Sequence, residues 1–393
     1  MESRRASLGV AVMAMSVALT AACGSSSGGK SLSSGGSSSS SSSSGGGGSS
    51  GNVAAAEATV QKFLQPPTSI GDLPPLSKKP AAGKRMIITE TPEPVTIKVN
   101  DAMVKAAQAL GWTTTRIAIG TGAEDPAKAL NAAIDQKPDV IVQTGSPASQ
   151  LREPLQRAKD AKIVVLRSDN SDPPGVDGTI VNTGIDGPNQ TGSYGTMTAD
   201  YVVATSKGKA QALLVNFPTY PILTAYAEGF DKELNAKCPS CTSTRLNQQV
   251  TDLAGGKTPA AVVSALQRNP KINWVVLSLG DATLGLKAAL SAAGLSSRVQ
   301  IGGESAGTQN ITALKNGSEA MWSGFAAAIL GWRRVDAAAR YYNGESLAPA
   351  TNTLLPSQLL TKENVSSAPL DPQGYYLGVA DYESQFKKLW KVQ

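Results

Sequence analysis

Five short, almost wholly apolar runs, each followed by residues at helical spacing, constrain this chain more than any other feature. They are Met86–Thr89 (MIIT), Val140–Gln143 (VIVQ), Ile163–Leu166 (IVVL), Gln211–Val215 (QALLV) and Trp274–Leu277 (WVVL). A strand that is apolar on both faces must be covered on both faces, which is the situation of a parallel sheet between helices. The spacing predicts helices over 99–110, 126–136, 149–161, 222–236, 259–267 and 283–293, with one more inside 186–204. Further strands are expected at 115–119, 242–246 and 299–301. The elements fall into two successive sets, so the fold class is α/β, with two doubly wound, Rossmann-like domains. In such sheets ligands bind beyond the carboxyl ends of the strands. The loops after Thr89, Gln143, Leu166, Val215, Leu277 and Ile301 are therefore expected to line a cleft between the domains.

Composition narrows the chemistry. Of 393 residues, 41% are hydrophobic and 17% charged, a globular balance. There is no histidine. That excludes Ser-His-Asp and Cys-His constellations, histidine bases and histidine metal sites. No catalytic residue, metal site or cofactor is read from the sequence. The net charge of +6 is spread along the chain, and no basic run is interleaved with aromatics, so no nucleic-acid partner is expected.

The N-terminus reads as an export signal. Arg4 and Arg5 precede an apolar segment, Ala6–Ala22, that ends in small residues, the layout of a secretory signal peptide over 1–22. The segment falls short of the about 20 apolar residues that cross a bilayer comfortably. A Ser/Gly tract follows to Asn52 and reads as a flexible tether over 23–52, with a span of roughly 30 Å for about 30 residues. Between signal and tether stands Cys23. Thr20-Ala21-Ala22-Cys23 resembles the lipobox of bacterial lipoproteins, although Thr20 stands where Leu is more usual and Leu19 is one place early. The resemblance implies cleavage before Cys23, acylation there, and an extracytoplasmic protein anchored to the bacterial cell membrane. The alternative is an ordinary cleaved signal. Over 53–83 the spacing predicts a short helix from an Asn52 cap to Gln65, with Ala56, Val60, Phe63 and Leu64 on one face, then a Pro-rich extended segment. Cys238 and Cys241 (CPSC) are read as a small surface-loop disulfide in an exported chain, with a redox pair as the alternative.

Several stretches together carry a family likeness: AEDPAKALNAAIDQKPDVIVQTG (Ala123–Gly145), IVVLRSDN (Ile163–Asn170), AYAEGF (Ala225–Phe230), LGDATLGLKAALSAAG (Leu279–Gly294) and LLTKENV (Leu359–Val365). In their order and spacing they resemble the type I periplasmic solute-binding proteins, the ribose-binding-protein-like group above all, over Lys84 to Gln393. The resemblance implies three crossings between domains, placed near Asn182–Gly187, Ser323–Ala326 and Leu354–Leu360. The N-terminal domain is then 84–184 plus 325–355, and the C-terminal domain 185–324 plus 356–393. It also implies a monomeric, non-enzymatic, carbohydrate-binding transport lipoprotein that hands a small-molecule ligand to the permease of an ABC importer. Two other roles stay open: a ligand-sensing partner of a membrane receptor, and an importer subunit for an aromatic or carboxylated substrate.

Carried over position by position, the ligand site differs from the sugar-binding pattern. Where such relatives place adjacent aromatics after the first strand, this chain has Glu90, Thr91 and Glu93. Gly145 and Ser146 follow the VIVQ strand. The Asp-Arg pair of the family becomes Arg167 and Asp169, and the arginine before the EGF-like run becomes Thr224. Asp281 and Glu304 stand for the Asn-Asp and Phe-Asp pairs, and Phe325 for a polar hinge residue. Arg167 is expected to make a two-pronged contact with a ligand, the carboxylates to accept from hydroxyls or a cationic group, and Phe217, Tyr220 and Phe325 to supply apolar area. Each has a structural alternative: Arg167 and Asp169 paired with one another, Asp281 as a helix cap, Glu93 and Glu304 as solvated charges, Phe217 and Phe325 as packing residues.

Overall fold

A computed structural model of the chain describes residues 47–392; the expected signal segment, Cys23 and the tether as far as residue 46 lie outside them. The first element, α1 (Gly47–Leu64), begins upstream of Asn52, so the last residues assigned to the tether are helical. The run Ala54–Ala56 is a strong helix former, and a helix once nucleated extends at one hydrogen bond per residue.

The first domain is built from β1 (Arg85–Glu90), α2 (Pro94–Ala109), β2 (Thr113–Ala118), α3 (Asp125–Asp135), β3 (Val140–Thr144), α4 (Arg152–Asp160), β4 (Val164–Ser168), β5 (Gly175–Asp177) and β6 (Ile180–Asn182). Its sheet runs β2-β1-β3-β4-β6-β5, parallel except for the last pair. The central strands β3 and β4 are buried along their whole length, as strands covered on both faces must be. Helix α2 starts at Pro94 rather than near Val99. Proline is tolerated at the first helical position, where its missing N–H has no partner to lose.

The second domain repeats the plan with α5 (Pro188–Ser206), β7 (Gln211–Asn216), α6 (Pro221–Lys237), β8 (Thr242–Asn247), α7 (Val250–Ala254), α8 (Thr258–Arg268), β9 (Trp274–Leu277), α9 (Leu286–Ala292), β10 (Gln300–Gly303), α10 (Thr308–Lys315) and β11 (Met321–Ser323). After β11 the chain returns to the first domain as α11 (Ala327–Asn343), which lies on α2. The approach is so close that a Cβ at Gly331 would fall on the Val99 carbonyl. Then come α12 (Ala348–Asn352), β12 (Leu359–Thr361), which pairs antiparallel with β11, and α13 (Tyr382–Leu389). The second sheet runs β12-β11-β10-β9-β7-β8. A disulfide joins Cys238 and Cys241 between α6 and β8.

The segments 183–187, 324–326 and 353–358 connect β6 to α5, β11 to α11 and α12 to β12, and the tail packs differently from the expected partition. Residues 356–393 do not all stay with the second domain: α13 packs on α11, where the rings of Trp332 and Trp390 stack with centroids 5.1 Å apart. Trp390 Nε1 also donates to Asp336 Oδ1 at 2.8 Å. Large aromatic faces gain most from burial, and α11 offers Trp332 as the surface to cover. The Pro-rich segment after α1 follows the same helix. Its carbonyls at Ile70, Pro74 and Lys78 accept hydrogen bonds from Arg333, Arg340 and Asn343 of α11. Helix α1, by contrast, packs on α5 and α6 of the second domain through Ala56 and Val60. Residues 47–83 thus form a strap that touches both domains.

Candidate functional site

Where the carboxyl ends of the two sheets meet there is a cavity of ≈ 90 Å³. Its walls come from residues just past strand ends. Thr91, Gly145, Asp169 and Asp186 follow β1, β3, β4 and β6; Tyr220, Leu279, Ser305 and Phe325 follow β7, β9, β10 and β11. Helix α2 adds Thr96, and α11 adds Leu330 and Arg334. An adjoining cavity of ≈ 260 Å³ shares Glu93 and is otherwise mainly apolar, with Pro92 and Pro94 on one side and Val250 and Leu253 on the other.

Backbone conformation aims these residues. Asp169, Asp186 and Ser305 have φ of 53°, 51° and 57°, and Gly145 has φ of 82°. Left-handed backbone is uncommon outside glycine and costs free energy for other residues. Of these four positions around one cavity, the three that are not glycine concentrate strain where the chain must turn sharply from strand end into wall. Asp tolerates this conformation better than most residues, which fits its presence at two of the four positions.

Charge is unevenly balanced. Arg334, 1% exposed, forms an ion pair with Asp169 Oδ2. Its Nε and Nη1 have no partner, nor have Asp169 Oδ1, Asp186 Oδ1, Glu93 Oε2, Asp281 Oδ2 and Glu304 Oε1. Burial pushes the Asp186 carboxyl up to about 8, helped by the negative charge of Asp169. Burial raises Asp281 to about 6 and holds Glu304 well above the usual carboxylate range. Tyr220 Oη, from the second domain, donates across the cleft to Glu93 Oε1, from the first, at 2.8 Å.

Of the residues expected at the site, Thr91, Glu93, Gly145, Asp169, Tyr220 and Phe325 line the cavity. Asp281 lines the adjoining one, and Glu304 is buried close enough to Asp186 for their charges to interact. Arg167 is turned away. It pairs with Asp172 at 2.8 Å and donates to Gln143 and to the Ser146 carbonyl, so it braces the loop after β3. Its charged partner is Asp172 rather than Asp169. Ser146 contributes that carbonyl and does not face the cavity. Glu90 is bound to Arg116 and Asn100 at the sheet edge. Phe217 is fully buried packing, and Thr224 accepts from Asn216. Sequence reading missed Asp186, Ser305 and Arg334. The signal for Arg334 was present: two adjacent arginines in GWRRVD (Gly331–Asp336) interrupt an otherwise apolar helix and must find buried partners.

Two α/β domains joined by connecting segments, with a cavity of apolar and charged side chains between their strand ends, have the architecture of a protein that binds a small ligand between its domains. The chain belongs to the periplasmic binding protein family: the family model described as "Periplasmic binding protein domain" matches residues 86–346. No curated protein matches it. Among solved structures it is similar to the 5-methylthioribose transporter solute-binding protein of Thermotoga lettingae, at 18% identity and a TM-score of 0.64, covering 81% of this chain and 99% of that one. It is also similar to GanP, a glucose-galactose binding protein of Geobacillus stearothermophilus, at 17% identity and a TM-score of 0.62, covering 73% and 99%. A third is an ABC transporter solute-binding protein of Agrobacterium vitis bound with α-D-tagatopyranose, at 21% and 0.61, covering 75% and 99%. At these identities the likeness is one of fold.

Proposed function

We propose that this chain is an extracytoplasmic solute-binding protein that closes over a sugar or sugar-like molecule and hands it to the permease of an ABC importer. It works as a monomer on a lipid anchor at Cys23. The observation that carries this reading is the set of buried, unpartnered polar atoms facing one interdomain cavity, supplied by Asp169, Asp186, Glu93 and Arg334. Such atoms are costly while dry and unpaired. A compact ligand with several hydroxyls both donates to the carboxylates and accepts from the guanidinium. The ligands named for the similar structures, tagatopyranose and 5-methylthioribose, are of that kind. The Tyr220–Glu93 bond supports closure about a hinge. A carboxylated substrate is disfavoured, because carboxylates outnumber the single arginine of the wall. The anchor rests on the lipobox likeness; no helix among the described residues is long and apolar enough to cross a membrane.

A thermal-shift screen of the full chain against sugars and polyols tests the ligand class. A ligand at 1,000 times its dissociation constant adds about 4 kcal/mol of apparent stability, which raises the midpoint by several degrees in a protein of this size. No shift with any sugar or polyol removes this reading. For the anchor, Cys23→Ala is expected to move the protein from the membrane to the soluble fraction, and membrane retention of that variant removes the anchor.

A further inference from the structure

The cavity wall holds three carboxyl groups, on Glu93, Asp169 and Asp186, against one guanidinium, on Arg334. Arg334 pairs with Asp169 through Nη2 alone, and its charge also reaches Asp186. Among the described residues, Glu93 and Asp186 form no ion pair, although they are only 7% and 6% exposed. Each keeps a buried oxygen without a hydrogen-bond partner. Glu304 and Asp281, buried behind them at 1% and 3% exposure, likewise have no cation and each leave one oxygen unpartnered. The one further arginine expected at the site, Arg167, faces Asp172 instead.

Buried carboxylates are tolerated when a cation meets them and costly when none does. A metal ion does not fit, since no group of three His, Cys, Asp or Glu among the described residues is placed to hold one. The missing cation is therefore one that a single acid can hold while neutral oxygens take the remaining hydrogen bonds, as with the three donors of an ammonium group. Tyr220 and Phe325 line the same wall, and an aromatic ring face also attracts a cation.

We infer that the ligand of this cleft carries a protonated amino group that meets the unpaired carboxyl of Asp186. This rests on the reading of the cleft as the ligand site and sharpens its chemistry from a neutral sugar to an amine-bearing one. The raised Asp186 carboxyl is the ligand-free counterpart: burial and the negative charge of Asp169 outweigh the pull of Arg334, and the group keeps its proton.

Calorimetric titration of the full chain with matched pairs tests the inference: D-glucosamine against D-glucose and N-acetyl-D-glucosamine, and glucamine against sorbitol, with putrescine as an amine lacking hydroxyls. The amine of each pair is expected to bind at least tenfold tighter than its neutral counterpart, and Asp186→Asn is expected to erase most of that preference. Asn tolerates the left-handed backbone at 186, so the variant retains its turn. Should it fail to fold, the pairs on the unaltered chain still decide. Neutral members binding as tightly as the amines overturn the inference and leave the sugar reading standing. Binding of putrescine with none from sugars or polyols supports the amine and overturns the sugar frame. Silence from every probe overturns both.

Discussion

Two buried charged clusters hang from adjacent faces of α11, and they differ in how far they are satisfied. On one face, Asp336 accepts from Arg340 Nε at 2.8 Å and from Trp390 Nε1 at 2.8 Å. Arg340 also reaches the Pro74 carbonyl, and Arg333 the carbonyls of Ile70 and Thr353. Only Arg333 Nε is left over in that set. On the other face, Arg334 leaves two nitrogens unpartnered, and the acids around it leave one oxygen each. Consecutive residues Arg333 and Arg334 thus do different work. A saturated buried network fixes a structure, whereas an unsaturated one facing a cavity waits for a partner. Composition alone does not separate the two; the count of free donors and acceptors does.

The comparison breaks most visibly at Asp336. Asp336→Ala leaves Arg340 Nε and the Trp390 N–H without their acceptor in the core, with an expected loss of about 3–5 kcal/mol. Chemical denaturation measures this, and a loss below about 1 kcal/mol would mean the network is dispensable. Arg334→Gln is expected to do the reverse, costing less stability while weakening ligand binding at least tenfold, about 1.4 kcal/mol. Calorimetry on the same preparations compares the two. A variant that loses stability like Asp336→Ala and keeps its affinity would place Arg334 in the structural cluster.

The pH response sharpens the contrast further. The Asp186 carboxyl is raised from the ordinary 3.8 to about 8 in the folded chain. Between those values the folded state holds a proton that the unfolded state has released. The stabilising contribution is therefore full below pH 3.8 and is lost as pH rises through about 8. Ligand-free Asp186→Asn is expected to lack this fall, so the difference between the two denaturation curves should grow from pH 5 to pH 8 in favour of the variant. Parallel curves would place the proton elsewhere. The smallest expected effect is at the latch: Tyr220→Phe removes one cross-cleft hydrogen bond, about 1 kcal/mol or roughly fivefold in affinity. Small-angle scattering should show a more open ligand-free form.

The sheets were legible because their signal is local and repeated. MIIT, VIVQ, IVVL, QALLV and WVVL each became a buried strand, and the loops after them line the cavity. Side-chain direction was less legible. Arg167 and Arg334 carry the same group, and nothing local to RSD or to WRRVD says which one meets Asp172 and which the cleft. That depends on the left-handed turn at Asp169 and on the packing of α11 against α2, both of which join distant parts of the chain. Asp186 lies inside a segment read only as a crossing, and a hinge residue can be a wall residue only once both sheets are in place. The route of 362–392 back to the first domain was hidden for the same reason, since Trp332 and Trp390 find each other only in three dimensions.

The strap has a mechanical consequence. At the end of α1 the Leu64 carbonyl is held by Gln358 at 3.0 Å and by Asn364 at 3.3 Å, beside β12 of the second domain. At Ile70 the backbone N–H is held by Gln385 of α13, at 3.1 Å, on the side of the first. The few residues between them include Pro66-Pro67. Fully drawn out, six peptide steps reach about 20 Å. The lobes are therefore leashed as well as hinged, and the slack in that leash limits how wide the mouth of the cleft can swing before α1 or the Pro-rich run must peel away.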